Sequence, residues 1–351
     1  MQTSLFFEAT DKTKKVIFVF PYGIIRIKDG CHNYWQVLQE LIVNIINYTN
    51  AQILLLYCGK IYTKQKLKDN SKFFDKYKNR IQIIQMQNLD SVWVRDFMPI
   101  GIADNKALKA LYYPTYYEDE RFDGKEGDRK YAKNADNVGT SLTKVLRYTL
   151  QNLKFRQKDI ILDGGNFIHN KKIGFISARV LTENFYLNNK IEVDTDLLKD
   201  ILFQADISEF IVSLKNQLFL EALYILPSEQ ESDNLPEVTG HIDGSLRFLT
   251  QDIIVIDENY FENYKEFLEP IFRKHNLKIQ PIYQDLDNNT IFLNYLRVND
   301  TVFLPRGTNI QDDFYRFKTL CFKNSIKSVE IEEEGHISRH SGVFNCISWA
   351  C

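Results

Sequence analysis

Cys346 lies five residues from the C-terminus, in the run Ser341-Gly342-Val343-Phe344-Asn345-Cys346-Ile347-Ser348. A thiol acts as a nucleophile through its thiolate, which needs a nearby base or positive charge. Three polar stops in otherwise apolar stretches could supply such groups: Trp93-Val94-Arg95-Asp96, Leu162-Asp163-Gly164-Gly165-Asn166 and Gly240-His241-Ile242-Asp243-Gly244. Together with Cys346 they offer one sulfur, one imidazole and three carboxylates. That set suits covalent attack on a carbon made electrophilic by positive charge, and a guanidinium is the obvious candidate. Its planar fork of donors matches carboxylates.

Each stop also has an ordinary structural reading. If the chain is extended, His241 and Asp243, two residues apart, point to one face and can approach one ligand together. Otherwise Asp243 caps a Gly-flanked turn. Extended alternation sends Trp93 and Arg95 one way and Val94 and Asp96 the other; Asp96 either binds a substrate guanidinium or pairs with a structural arginine beneath Trp93. Asp163-Gly164-Gly165-Asn166 is either a tight turn needing positive φ or a carboxylate brought to His241 to fix its tautomer. Cys346 is a nucleophile or a small buried hydrophobe. His336 and His340 have helical i, i+4 spacing, but Gly335 and Gly342 disfavour a helix there and no HExxH is present, so no metal or cofactor is expected.

These residues need a scaffold. Short β-branched and aromatic runs at Lys15–Phe20, Gln52–Tyr57, Arg80–Met86, Asp159–Leu162, Ile173–Ser177, Ala222–Leu226, Asp252–Ile256, Lys278–Ile282, Thr301–Leu304 and Ser328–Ile331 predict strands. Between them, apolar residues at three-to-four spacing predict helices over Trp35–Tyr48, Val138–Leu153, Thr195–Phe203, Asn259–His275 and Asp312–Phe322. The alternation defines an α/β fold, and a strand–strand–helix rhythm recurs loosely. Asp96, Asp163 and His241 are read as following strands directly or after short connections, so that they project from one rim. The charged segment Glu118–Asn137 is a solvated loop or a substrate lid.

Composition narrows the function classes. The 351 residues allow two domains or one large α/β domain, and 44% hydrophobic content with 25 Phe and 19 Tyr predicts a large aromatic core. A net charge of -2 with interspersed signs leaves no footprint for nucleic acid or an anionic membrane. Five scattered cysteines without CxxC spacing suit a reducing, cytoplasmic setting. No apolar stretch approaches the roughly 20 residues of a membrane-spanning helix. The aromatic content leaves room for a homo-oligomeric interface.

Read together, the segments resemble the guanidino-group-modifying superfamily, most closely the agmatine deiminase and bacterial-type peptidylarginine deiminase family. The Trp-x-Arg-Asp motif is Trp93-Val94-Arg95-Asp96, followed by Pro99, and the Gly-His-x-Asp motif is Gly240-His241-Ile242-Asp243, followed by Arg247-Phe248. The Asn-aromatic, Asn and Val-x-x-Pro pattern is Asn294-Tyr295, Asn299 and Val302-Phe303-Leu304-Pro305, and the Gly-rich segment ending in Cys runs from Gly342 to Cys346. The resemblance implies a single domain over residues 1–351, a pseudo-fivefold α/β-propeller (pentein) of ββαβ-like modules. It implies that Cys346 is the nucleophile, His241 the general acid/base, Asp163 its partner, and Asp96 and Asp243 the guanidinium ligands, with Trp93 and Asn166 beside the substrate. The expected reaction is hydrolytic deimination of agmatine, or of free or peptidyl arginine; an amidinotransferase, a metal-dependent hydrolase or a silent binding protein are the alternatives. Arg179, Arg247 and Arg339 could each meet a substrate carboxylate or be structural.

Three departures stand out. Asp163 replaces the family's usual Glu, one methylene shorter, so a water-bridged contact to His241 or a backbone shift is expected. Met98 replaces the usual Gly before Pro99. Val16–Gly23 stands where agmatine deiminases carry a Trp-rich segment, which leaves the substrate open.

Overall fold

The computed structural model describes residues 4–24, 31–102, 105–118, 129–230, 239–284, 291–307, 312–333, 336–337 and 343–351. Five of its sheets repeat one topology, in which a middle strand pairs antiparallel with one neighbour and parallel with another across a helical connection. The chain forms two compact units: Met1–Phe7 with Asp96–Tyr283, and Glu8–Arg95 with Gln284–Cys351.

The first unit holds three such sheets. Lys106–Lys109 pairs antiparallel with Ile100–Ile102 and, after the helix Arg129–Val145, parallel with Thr149–Asn152. Ile173–Ser177 pairs likewise with Phe167–His169 and with Ala222–Leu226, across the helices Arg179–Phe185, Thr195–Leu202 and Ala205–Gln217. Ile253–Asp257 pairs with Leu246–Phe248 and, after Glu258–Lys274, with Lys278–Ile282. In the second unit, Thr301–Arg306 lies between Leu296–Val298 and Lys327–Glu332, joined through the helix Asp312–Lys323. Lys15–Val19 takes its antiparallel partner, Trp349–Ala350, from the far end of the chain; its parallel partner is Gln52–Cys58, reached through the helix Cys31–Tyr48, and Ile81–Met86 extends that sheet. The ββαβ-like module implied by the resemblance recurs four times in chain order, and the Lys15–Val19 sheet repeats its topology with Trp349–Ala350 as the antiparallel strand.

Four of the middle strands are largely apolar because helices or neighbouring layers cover both faces of a sheet with parallel pairing, while Lys106–Lys109 carries a lysine at each end. Ile173–Ser177 and Ile253–Asp257 are buried at every position. Asp257 then turns the chain, its carboxylate accepting from Tyr260 N at 3.0 Å to cap the following helix. In the second unit the aromatic content becomes packing: Phe20 meets Trp35 edge-on at 4.7 Å, and Trp35 donates its indole N–H to Asn70 Oδ1 at 2.9 Å.

Three sequence expectations fail. Val138–Leu153 is not one helix; the helix ends at Val145 and Thr149–Asn152 is a strand. The apolar spacing runs through the stop, but Arg147 takes φ +62, Tyr148 N donates to Thr143 O at 2.9 Å, and Arg147 N to Lys144 O at 3.1 Å. This is the Schellman geometry that normally uses glycine, so no residue type marks it. The segment 118–137 is not one loop either: residues 119–128 lie outside the described residues, but 129–137 open a helix that buries Ala132, Ala135, Val138 and Leu142 beneath a charged face. Likewise, of the strand expected at Asp159–Leu162, only Lys158–Asp159 forms, in a hairpin with Lys154–Phe155, plus an isolated bridge from Leu111 to Ile161.

Candidate active site

The candidate residues share one place in the repeat: the single-turn segment leading into each sheet's antiparallel strand. Asp96 lies on the short helix Val94–Phe97 before Ile100–Ile102. Asp163 opens the 3-10 turn Gly164–Asn166 before Phe167–His169, and His241 opens Ile242–Gly244 before Leu246–Phe248. Asn294 closes Phe292–Asn294 before Leu296–Val298, and Cys346 lies in the turn 344–347 before Trp349–Ala350. They therefore precede strands rather than follow them. The extended-chain arguments for Trp93 to Asp96 and for His241 and Asp243 do not hold, because Asp96 is helical and Asp243 sits inside a 3-10 turn.

In the first unit, His241 Nε2 stands 3.1 Å from Asp163 Oδ2, and Nδ1 stands 3.9 Å from Asp96 Oδ1. All three acids, Asp96, Asp163 and Asp243, are buried. The shorter Asp163 thus lies within ion-pair distance of the imidazole, which leaves no room for the water-bridged alternative to a backbone shift. Gly165 explains how: it needs no positive φ, but a Cβ there would lie 2.5 Å from His241 Nδ1. The second glycine makes room for the ring to lie on the backbone. Asn166, expected beside the substrate, has its Oδ1 engaged by the Ser177 hydroxyl at 2.6 Å.

Tyr116 stands edge-on to His241, with ring centroids 6.1 Å apart. Its hydroxyl lies 3.1 Å from that of Tyr112, which lies 3.0 Å from that of Tyr117. Burial first, then the charges of Asp163, Tyr117 and Asp96, push the Tyr116 hydroxyl well above the usual tyrosine range, so it stays protonated. Arg179 resolves as structural: burial opposes its charge, yet Glu192, Glu183 and Asp163 hold its pKa above the ordinary value, with Nε 3.3 Å from Glu183 and Nη1 3.8 Å from Glu192. Arg247 is buried on the strand Leu246–Phe248, while Arg339, His340 and Gly342 lie outside the described residues.

In the second unit, Cys346 is buried and its turn is organised by one amide. Asn294 Nδ2 donates to Cys346 Sγ at 3.1 Å. Asn294 Oδ1 accepts from the backbone N–H groups of Val343, Asn345 and Cys346 at 3.3, 3.1 and 3.2 Å. An N–H aimed at sulfur favours the thiolate. Arg95 braces the same turn: its backbone N donates to Cys346 O at 3.1 Å, and Nη2 reaches Asn345 Oδ1 at 2.8 Å and Glu8 at 2.7 Å. The arginine of the first motif is therefore committed to Glu8 and Asn345. Trp93, half-buried, donates its backbone N–H to Ser91 Oγ at 3.2 Å. Cys321, by contrast, is fully buried, and desolvation pushes its thiol up to about 12.

Sequence reasoning missed the roles of Asn294 and Tyr116. Asn294 was visible as part of a motif, and its signal is its place in the repeat; Tyr116 carries no such signal. Among the described residues, no group of three His, Cys, Asp or Glu side chains could hold a metal ion, and no helix is long and apolar enough to cross a membrane.

The profile of the Porphyromonas-type peptidyl-arginine deiminase family matches residues 6–351, and the chain belongs to that family, whose members are hydrolases acting on C–N bonds. Among solved structures, C. jejuni agmatine deiminase is similar at a TM-score of 0.68 and 16% identity, over 99% of this chain and 96% of that one. The agmatine deiminase of Enterococcus faecalis is similar at 0.68 and 16%, over 97% and 93%. A DDAH from Pseudomonas aeruginosa, complexed with citrulline, is similar at 0.56 and 11%, over 97% and 100%. At these identities the likeness establishes the α/β fold. No curated protein sequence gives a significant match.

Proposed function

We propose that this protein hydrolyses a guanidino substrate to a ureido product and ammonia through a covalent intermediate on Cys346. The observation that carries the reading is a histidine flanked by buried acids, His241 between Asp163 and Asp96, in a chain of the deiminase family. The proposal takes residues 1–351 as one enzymatic domain, since the family match runs through both units, with the five modules set around a pseudo-fivefold axis.

A guanidinium has a pKa above about 12 and enters charged. Asp96 and Asp243 accept its N–H groups and hold the central carbon for attack. The Cys346 thiolate, favoured by the Asn294 N–H, adds to that carbon to give a tetrahedral adduct. His241, kept in orientation by Asp163, gives its proton to the departing nitrogen, the C–N bond breaks and ammonia leaves. Water, losing a proton to His241, then adds to the thiouronium carbon; the C–S bond breaks, the thiolate returns, and the remaining hydroxyl proton passes to solvent to leave the ureido product. No metal or cofactor enters the scheme. Agmatine, free arginine and peptidyl arginine share the reacting group and differ only in what it hangs from.

Cys346→Ala should lower ammonia release by at least ~10^4-fold and leave the dissociation constant for substrate within about threefold, since the carboxylates that bind the cation remain. Release at the normal rate from that variant overturns the assignment. Agmatine, arginine, methylated arginines and an arginine peptide form the substrate panel. Ammonia formed without an added amine acceptor distinguishes hydrolysis from amidino transfer.

A further inference from the structure

A second charged site lies behind Asp96. Lys109, at the end of the strand Lys106–Lys109, buries its ammonium 2.6 Å from Asp136 Oδ1, a side chain of the helix Arg129–Val145. The same ammonium donates to the carbonyl of Phe97 at 3.1 Å. Phe97 follows Asp96 and closes its short helix, leaving that carbonyl without an i+4 donor inside so brief a helix. Gly139 completes the clamp from the helix side: a Cβ there would lie 2.3 Å from Phe97 O. Asp136 Oδ1 also accepts the backbone N–H of Tyr112 at 2.9 Å. Tyr112 shares its hydroxyl with Tyr116, the ring that stands against His241. One ion pair thus reaches the backbone beside Asp96 and, through two tyrosines, the imidazole.

We infer that the Lys109–Asp136 pair is a positioning device that fixes the Asp96 carboxylate for cation binding. A surface ion pair would contribute little, but here the ammonium is buried, the carboxylate is half-buried and the pair is bonded to two backbone groups, so a partner cannot leave without uncovering an acceptor or a donor. Its role is in geometry: the Asp96 turn has four residues, too few to be held by its own hydrogen bonds. Desolvation lowers the pKa of Lys109, against the opposing pull of Asp136.

The inference rests on the proposed role of Asp96, and its test separates the two. Lys109→Met alone strands the Asp136 charge and is a folding risk. The variant Lys109→Met with Asp136→Asn removes both charges and keeps an amide oxygen for Tyr112 N. In this double variant KM for the best substrate should rise about tenfold, with kcat within threefold and an unchanged circular dichroism spectrum, because Asp96 holds the ground-state cation. Amide hydrogen exchange over residues 94–98 should quicken by about tenfold or more, a readout that requires no turnover. Unaltered exchange there, or a lowered melting temperature with KM unchanged, overturns the positioning role. Absence of ureido product from the wild-type protein would overturn the deiminase reading, while the exchange result would still judge the clamp.

Discussion

The Cys346 turn and the His241 turn occupy equivalent places in two modules, yet they are held in opposite ways. Cys346 depends on a neutral residue: Asn294 donates to the sulfur and gathers three backbone N–H groups on its oxygen. His241 is held by charge and by an omission, with Asp163 and Asp96 on its nitrogens and no side chain on Gly165. The contrast follows the chemistry. A carboxylate beside the sulfur would raise the thiol's pKa, so an amide serves there. In the proposed mechanism His241 cycles between charge states, and acids are suited to steady it. The same backbone device therefore carries two electrostatic solutions.

Substitutions that exchange these solutions test the comparison. The largest effect is expected at the amide. Asn294→Ala removes the donor to sulfur and leaves buried N–H groups short of an acceptor, each worth about 1–3 kcal/mol; kcat should fall by about 10^3-fold and the melting temperature should drop. Asn294→Asp sharpens the point, because its oxygen still gathers the backbone N–H groups while a charge faces the sulfur. Alkylation of Cys346 should then move upward by about one pH unit or more. An unshifted profile would mean that Asn294 acts on the backbone alone.

A smaller loss is expected on the histidine side. Gly165→Ala places a methyl where the imidazole lies, with 2.5 Å to Nδ1, so the ring must tilt away from Asp163. A displacement near 1 Å costs about 10^2-fold in kcat, with the fold retained; wild-type kcat would remove the glycine from the account. The smallest effect contrasts thiols. Cys321, pushed up to about 12, is nearly all thiol at pH 8 and should resist iodoacetamide in the native protein, whereas mass spectrometry should find Cys346 modified and protected by substrate. Equal labelling of the two would undo the claim that environment sets them apart.

Parts of this architecture were legible in the residues and parts were not, for identifiable reasons. Ile173–Ser177 forms as read because a fully buried apolar run has few alternatives, and Ala222–Leu226 and Lys278–Ile282 also form with the expected bounds. The helix boundary near Val145 was hidden by an arginine in a left-handed cap, where glycine is the usual marker. Helix Ala205–Gln217 was not anticipated at all. Asp163, Asp96 and His241 were recognisable as candidates, but the reason for Gly165 was misassigned: a turn and a close approach leave the same letter. Lys109 was not singled out in the sequence and Asp136 fell in the segment read as a solvated loop or a lid, yet the strand and helix bring the two, 27 positions apart, to 2.6 Å.

What the amino-acid order determined on its own is local and compositional: the α/β alternation, the aromatic interior, and an inventory of one sulfur, one imidazole and three acids. Those follow from side-chain periodicity and residue chemistry, which act within a few positions of the chain. Tertiary structure decided which acid faces the imidazole, that an amide and not a charge attends the thiol, that Arg179 is spent on buried glutamates and that Lys109 is spent on the half-buried Asp136. Such pairings depend on distances of 3 to 4 Å between residues far apart in the chain, and at that range burial and neighbouring charge set what a group does.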